Sequence, residues 1–148
     1  MSTSLTTAQE LLAVLPLFNR IMAVELRQES DDETTMPQFR VLGYLAEEPL
    51  TMSAIARRLK AHMPSAGELV QALVERGWVI RKPDPSDRRQ SLLQLTEAGL
   101  ARYEQAQSHM LERLSSFMDQ LDEDEKTTIQ QALQSLHRVL VQEVVDEK

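Results

Sequence analysis

Two arginines, Arg88 and Arg89, leave a turn spelled Asp84-Pro85-Ser86-Asp87. Guanidinium groups on a projecting loop can donate to phosphate oxygens or enter a narrow, electronegative minor groove. Pro85 fixes φ, and the aspartates can cap the turn with their side chains. Arg57, Arg58 and Lys60 fall on the polar side of a short amphipathic stretch and can meet phosphates, with Thr51 and Ser53 at its start as further donors. Between these two groups stand Ser65, Glu68 and Gln71. Gln71 can pair bidentately with adenine, Ser65 can bond a base edge or a phosphate, and Glu68 can accept from a cytosine amino group. This is the chemistry of holding double-stranded DNA, and bond-breaking chemistry has no comparable signature. His62, His109 and His137 are far apart, and there is no Glu-x-x-His pair, Gly-rich phosphate loop or nucleophile elbow. With zero cysteines, disulfides, thiolate zinc and a cysteine nucleophile are excluded. We expect no enzymatic activity, no cofactor and no metal.

The elements that must position these residues lie between 51 and 95. Met52, Ile55, Ala56 and Leu59 recur at helical spacing over Thr51 to about Lys60, and Leu69, Val70, Leu73 and Val74 do so over about Pro64 to Arg76, with Gly77 as a stop. Trp78-Val79-Ile80 and Ser91-Leu92-Leu93-Gln94-Leu95 have strand composition. Helix, turn, helix and a charged β-hairpin make a winged helix, whose second helix enters the major groove. Glu68 has two readings. It is a base acceptor, or it closes an S-x-x-E capping box with Ser65, although Pro64 competes with that register.

The runs L-V-E-R-G-W-V-I-R from Leu73, D-P-S-D-R-R from Asp84 and L-T-E-A-G from Leu95 resemble the MarR family of bacterial transcription regulators. The D-P-x-D-R-R turn followed by L-T-x-x-G is the most specific part. The resemblance implies a homodimeric repressor on a near-palindromic operator. Arg89 matches the wing arginine that enters the groove, and Asp87 the carboxylate that braces it. It also implies a small-molecule effector, often a phenolic or aromatic anion. The implied cleft is lined by Phe18, Met22, Phe39, Leu42 and Met110, with Arg20 or Arg40 to hold a carboxylate. The absence of cysteine rules out the thiol-based oxidant sensing that some members use. The chain departs from the pattern at Glu68, near which a basic residue commonly stands.

The formal net charge of −7 argues against a polyanion partner, but the distribution of charge points the other way. Residues 51 to 95 hold eight Lys or Arg against four Asp or Glu, a net of +4, and the rest of the chain holds eight against nineteen, a net of −11. Local field governs encounter with DNA. The acidic total and Glu68 instead favour an alternative, a winged-helix protein-interaction module without sequence-specific DNA binding.

The flanks read as scaffold. A helix over 5 to 29 is apolar around much of its circumference, with Pro16 expected to kink or break it. ESDDET (29 to 34) is an acidic linker, and Met36 to Ala46 a second helix, with Phe39, Leu42 and Leu45 inward and Pro37 in its first turn. Leu50 supplies a small strand for the wing. After the wing, Thr96 caps a long helix bearing Leu100, Tyr103, Ala106 or Gln107, Met110, Leu114, Phe117 and Leu121. Asp122 and Glu125 form a capping box before a last helix with Ile129, Leu133, Leu136, Leu140 and Val144. We therefore expect a mainly α fold with a small β-wing, in which 1–35 and 96–148 are dimerisation segments around a DNA-binding region at 36–95. Such long apolar stripes need a second copy to cover them. No run of 18 apolar residues or charged leader is present, so the expectation is a soluble cytoplasmic protein without a membrane partner.

Overall fold

The computed structural model describes residues 2–28 and 34–146. The described elements are α1 (Thr3–Gln28), α2 (Met36–Glu47), β1 (Leu50–Thr51), α3 (Met52–Leu59), α4 (Met63–Glu75), β2 (Val79–Pro83), β3 (Ser91–Leu95), α5 (Glu97–Met118) and α6 (Glu123–Asp146). They fall into two compact units, Met1–Met110 and Leu111–Lys148. Among the described residues, no helix is long and apolar enough to cross a membrane.

In the first unit, the stripes read from the sequence converge on one cluster. Val41, Leu42 and Leu45 from α2, Ile55 from α3, Val70 and Leu73 from α4, and Trp78, Val79 and Leu93 from the hairpin are all buried there. Burying side chains of this size stabilises by roughly 1.5–3 kcal/mol each. A second, smaller cluster joins Leu26 of α1 to Ala106 and Met110 of α5, with Met22, Met36 and Phe39 packed against it.

Local chemistry sets the ends of the helices. Thr35 and Gln38 form a reciprocal capping box at α2, with Pro37 in the first turn. Thr51 Oγ1 accepts from the Ala54 N–H at 3.2 Å and caps α3. α4 ends in a Schellman pair: Gly77 N–H donates to Val74 O at 2.9 Å and Trp78 N–H to Leu73 O at 3.0 Å. This needs the positive φ of 76° that Gly77 supplies. The three strands run antiparallel in the order β1-β3-β2, with Leu50 opposite Leu93 and Val79 opposite Leu95. The strand expected at Leu50 is present.

The start of α5 is fastened to the base of the hairpin. Thr96 Oγ1 donates to Gly77 O at 2.6 Å and accepts from Gly99 N–H at 3.0 Å, while Thr96 N–H donates to Trp78 O at 3.0 Å. The buried stripe of α5 is Gly99, Arg102, Ala106 and Met110, whereas Leu100, expected on the inward side, is 41 % exposed. Arg102 displaces it because it has partners inside: its Nε and Nη2 donate to Thr34 Oγ1 at 3.1 and 3.0 Å, and its guanidinium lies 5.8 Å from the Trp78 ring centroid. α1 starts two residues earlier than expected and passes through Pro16 without ending. The acidic linker lies outside the described residues apart from Thr34, which is buried.

In the second unit, Asp122 and Glu125 make the expected capping box, with reciprocal bonds of 3.0 and 2.8 Å. On α6, Ile129 and Leu136 are half-buried, whereas Leu133, Leu140 and Val144 are 58 %, 53 % and 65 % exposed.

Candidate nucleic-acid interface

The site is built on α3, α4 and the turn between β2 and β3. Ala66, Val70 and Leu73 turn one face of α4 into the core, which leaves Ser65, Glu68 and Gln71 on exposed positions of the helix. α4 begins at Met63, one turn earlier than the capping-box alternative requires. His62 occupies the N-cap position without a side-chain cap bond, and Pro64 sits in the first turn. Ser65 is thus already inside the helix, and the Glu68 capping box is not made. Proline fitted to the first turn, where its missing N–H costs nothing, explains the earlier start.

On α3, Ser53 and Arg57 are exposed, and the hydroxyls of Thr51 and Ser53 lie 3.2 Å apart. Arg58 is committed differently from the expected phosphate contact. Its side chain is only 22 % exposed, donates to Glu48 Oε1 at 2.7 Å, and lies 5.5 Å from the Tyr44 ring centroid. It ties α3 to the end of α2. Lys60 closes α3 in the left-handed region, with φ of 51°.

Asp84 organises the wing turn. Only 5 % exposed, it accepts from Ser86 N–H at 2.9 Å and Ser86 Oγ at 2.7 Å, while its own N–H donates to Gln90 O at 3.2 Å. The Ser86 hydroxyl, then the Ser86 N–H, hold its carboxyl below the ordinary value of 3.8 against the opposing effect of burial. A depressed folded-state pKa contributes stability that is present above the ordinary carboxylate range and lost as pH falls through the depressed value. Carboxyl NMR titration is expected to place the Asp84 midpoint below 3.8, with Ser86→Ala raising it toward that value. A parent midpoint at or above 3.8 contradicts this account of the turn.

At the tip, Asp87 Oδ1 accepts from Arg89 N–H at 3.0 Å and from Arg89 Nε at 3.2 Å. The brace inferred between these residues therefore exists, although the Arg89 side chain is 92 % exposed and the pair is open to solvent. Arg88 is exposed beside it. Sequence reasoning left Arg81 unassigned: its Nη2 donates to Gln71 Oε1 at 3.2 Å, linking β2 to α4. Strand alternation, which puts Arg81 on the same face as buried Val79, is the signal that could have found it.

Of the seven residues expected to line an effector cleft, three meet within the single chain and four stand apart from them. Met22, Phe39 and Met110 meet in the smaller core cluster, where Phe39 also stacks on Tyr103 at 5.2 Å. Leu42 belongs to the other cluster and is fully buried. Phe18 and Arg20 lie on exposed positions of α1. Arg40 borders a separate depression of about 220 Å³ with Pro37, Leu59, Ala61, Ser65, Ala66 and Leu69. Helical periodicity marked these apolar side chains without distinguishing two clusters. Among the described residues, no group of three or more acidic or histidine side chains could hold a metal ion.

A helix-turn-helix followed by a β-hairpin that pairs with β1 and carries arginines at its tip defines a winged-helix protein. Residues 33–90 match the MarR family profile. The chain is 32 % identical over 104 residues to a putative transcriptional regulatory protein for the hcr operon of Thauera aromatica; the match covers 68 % of this chain and 61 % of that one, less than two thirds of its length. It superposes on wild-type apo MarR of E. coli with a TM-score of 0.76 at 25 % identity, covering 87 % of this chain and 95 % of that one. The fold is also that of a Staphylococcus aureus MepR mutant solved bound to an oligodeoxyribonucleotide, with a TM-score of 0.65 at 23 % identity, covering 90 % and 97 %. The chain belongs to the MarR family.

Proposed function

We propose that this chain is a DNA-binding transcriptional regulator that acts as a homodimer and represses from a near-palindromic operator. The observation that carries the proposal is the combination of an exposed α4 face with a wing tip where Arg88 and Arg89 project beyond a turn locked by Asp84. The neighbour of the same fold solved bound to an oligodeoxyribonucleotide supports DNA as the partner. Arg57, Ser53 and the wing arginines then meet backbone and groove, while Ser65, Glu68 and Gln71 meet base edges.

Dimerisation is supported by apolar side chains left in water. On α1, Leu12 and Leu17 are 68 % and 60 % exposed, and on α6 Leu133 and Val144 are comparably open. Exposed apolar stripes of this extent mark association surfaces. Two α4 helices about 34 Å apart would read half-sites one turn apart. An effector that moves this spacing would relieve repression, and a coupling of about 1–3 kcal/mol would give roughly 5- to 150-fold relief. Arg40, beside the depression next to α4, is the better-placed cation for an anionic effector.

Sedimentation together with duplex titrations tests the proposal. The expected results are a dimer of the 16.9 kDa chain and log affinity that falls linearly with log salt, by about 0.9 per phosphate neutralised. A monomer, or affinity indifferent to salt, overturns it.

A further inference from the structure

Gln71 stands between a group that can only donate and one that can only accept. Arg81 Nη2 donates to its Oε1 at 3.2 Å, and its Nε2 donates to Glu75 Oε1 at 3.5 Å. A carboxamide usually flips at little cost, because its oxygen and nitrogen are nearly the same size. Here a flip would set N–H groups against guanidinium N–H groups and a carbonyl oxygen against a carboxylate. Both contacts are repulsive, so the two neighbours fix the polarity of the amide.

The fold places them for this. Val79 and Arg81 lie on the same face of β2, two residues apart. Val79 is buried against the core, and Arg81 continues that face beyond the core edge to reach α4. Glu75 is one helical turn after Gln71 on α4. All three side chains are exposed. Arg81 also brings a positive charge to a helix whose exposed side chains include Glu68 and Glu75 but no Lys or Arg between Met63 and Glu75.

We propose that Arg81 is a specificity-determining positioning residue, holding the Gln71 amide in one orientation so that each half-site requires an adenine at one position. The inference rests on the regulator assignment above and names the base that α4 reads. A carbonyl oxygen has two lone pairs and an amide nitrogen two hydrogens, so one of each stays available after Arg81 and Glu75 are bound. A neighbouring acceptor and donor in fixed order match the N6 amino group and N7 of adenine in the major groove. Guanine offers two acceptors there, and cytosine only a donor. Released from Arg81, the amide could rotate and donate to guanine as well.

Selection from a randomised duplex pool tests this, using the parent, Arg81→Met, Arg81→Lys, Gln71→Ala and the Arg81→Met/Gln71→Ala double variant. The parent is expected to favour A·T over G·C at one position per half-site by about tenfold or more. Arg81→Met should reduce that ratio to about twofold or less while leaving the other positions unchanged, and Arg81→Lys, which can still donate to Oε1, should retain part of it. Gln71→Ala should abolish the same preference, with nothing further lost in the double variant. Because Arg81 is exposed, melting curves should show every variant folded. An Arg81→Met protein that binds more weakly but keeps the parent's ratio at every position overturns the inference and leaves the regulator assignment standing. A parent that enriches no motif overturns that assignment, and the inference with it.

Discussion

Arg89→Ala is expected to weaken duplex binding by about 10²-fold or more, with almost no change in folding stability. A hydrogen bond to a charged partner contributes about 1.5–3 kcal/mol, and a dimer would lose one such arginine from each of two wings. Together, about 3–6 kcal/mol corresponds to roughly 10²- to 10⁴-fold. The salt slope should become shallower by about one unit per wing. Stability should barely move, because the side chain is 92 % exposed and its bond to Asp87 is a solvent-screened surface pair. Fluorescence anisotropy at several salt concentrations, alongside a thermal melt, measures both effects. If the variant binds within twofold of the parent, the wing does not touch DNA.

The largest loss of stability is expected at Gly99→Ala. A β-carbon built there would stand 2.0 Å from Trp78 O and 2.8 Å from Trp78 C. These are backbone atoms, and the carbonyl already accepts from Thr96 N–H at 3.0 Å, next to the 2.6 Å bond from Thr96 Oγ1 to Gly77 O. Relief therefore requires β2 and α5 to separate, breaking that joint. Overpacking a filled site typically costs 1–3 kcal/mol and occasionally more, and lost hydrogen bonds add about 1 kcal/mol each, so we expect a loss of about 3 kcal/mol or more. In a domain stable by only about 5–15 kcal/mol, that is a large fraction. Gly67→Ala is the control: nothing lies within 4 Å of the added carbon, and the helix should gain up to about 1 kcal/mol. Urea midpoints compare the three proteins. A Gly99→Ala midpoint equal to the parent's would show that the hairpin and helix are not closely apposed.

That glycine also shows why part of the fold was legible in the sequence. In the L-T-E-A-G run, the threonine fastens the hairpin to α5 and the glycine admits the Trp78 carbonyl. Helical spacing found α3 and α4, and turn chemistry found the wing, since both depend on neighbours a few residues apart. The Asp87–Arg89 brace is local in the same way. Arg58, Arg81 and Arg102 escaped because each is partnered across elements, by Glu48, Gln71 and Thr34 respectively. Charge type alone cannot tell a cation facing a phosphate from one tying two helices together. The apolar residues of the effector set divide for a related reason, since periodicity says that Leu42 and Met110 point inward without saying into which cluster.

The joint at Gly77, Trp78 and Thr96 makes the hairpin a lever whose fulcrum is the first turn of α5. Five residues per strand span about 17 Å, so a tilt of about 5° at that fulcrum would sweep Arg89 through about 1.5 Å. That sweep is half the length of a hydrogen bond, enough to carry a guanidinium out of reach of its acceptor while every helix keeps its internal structure.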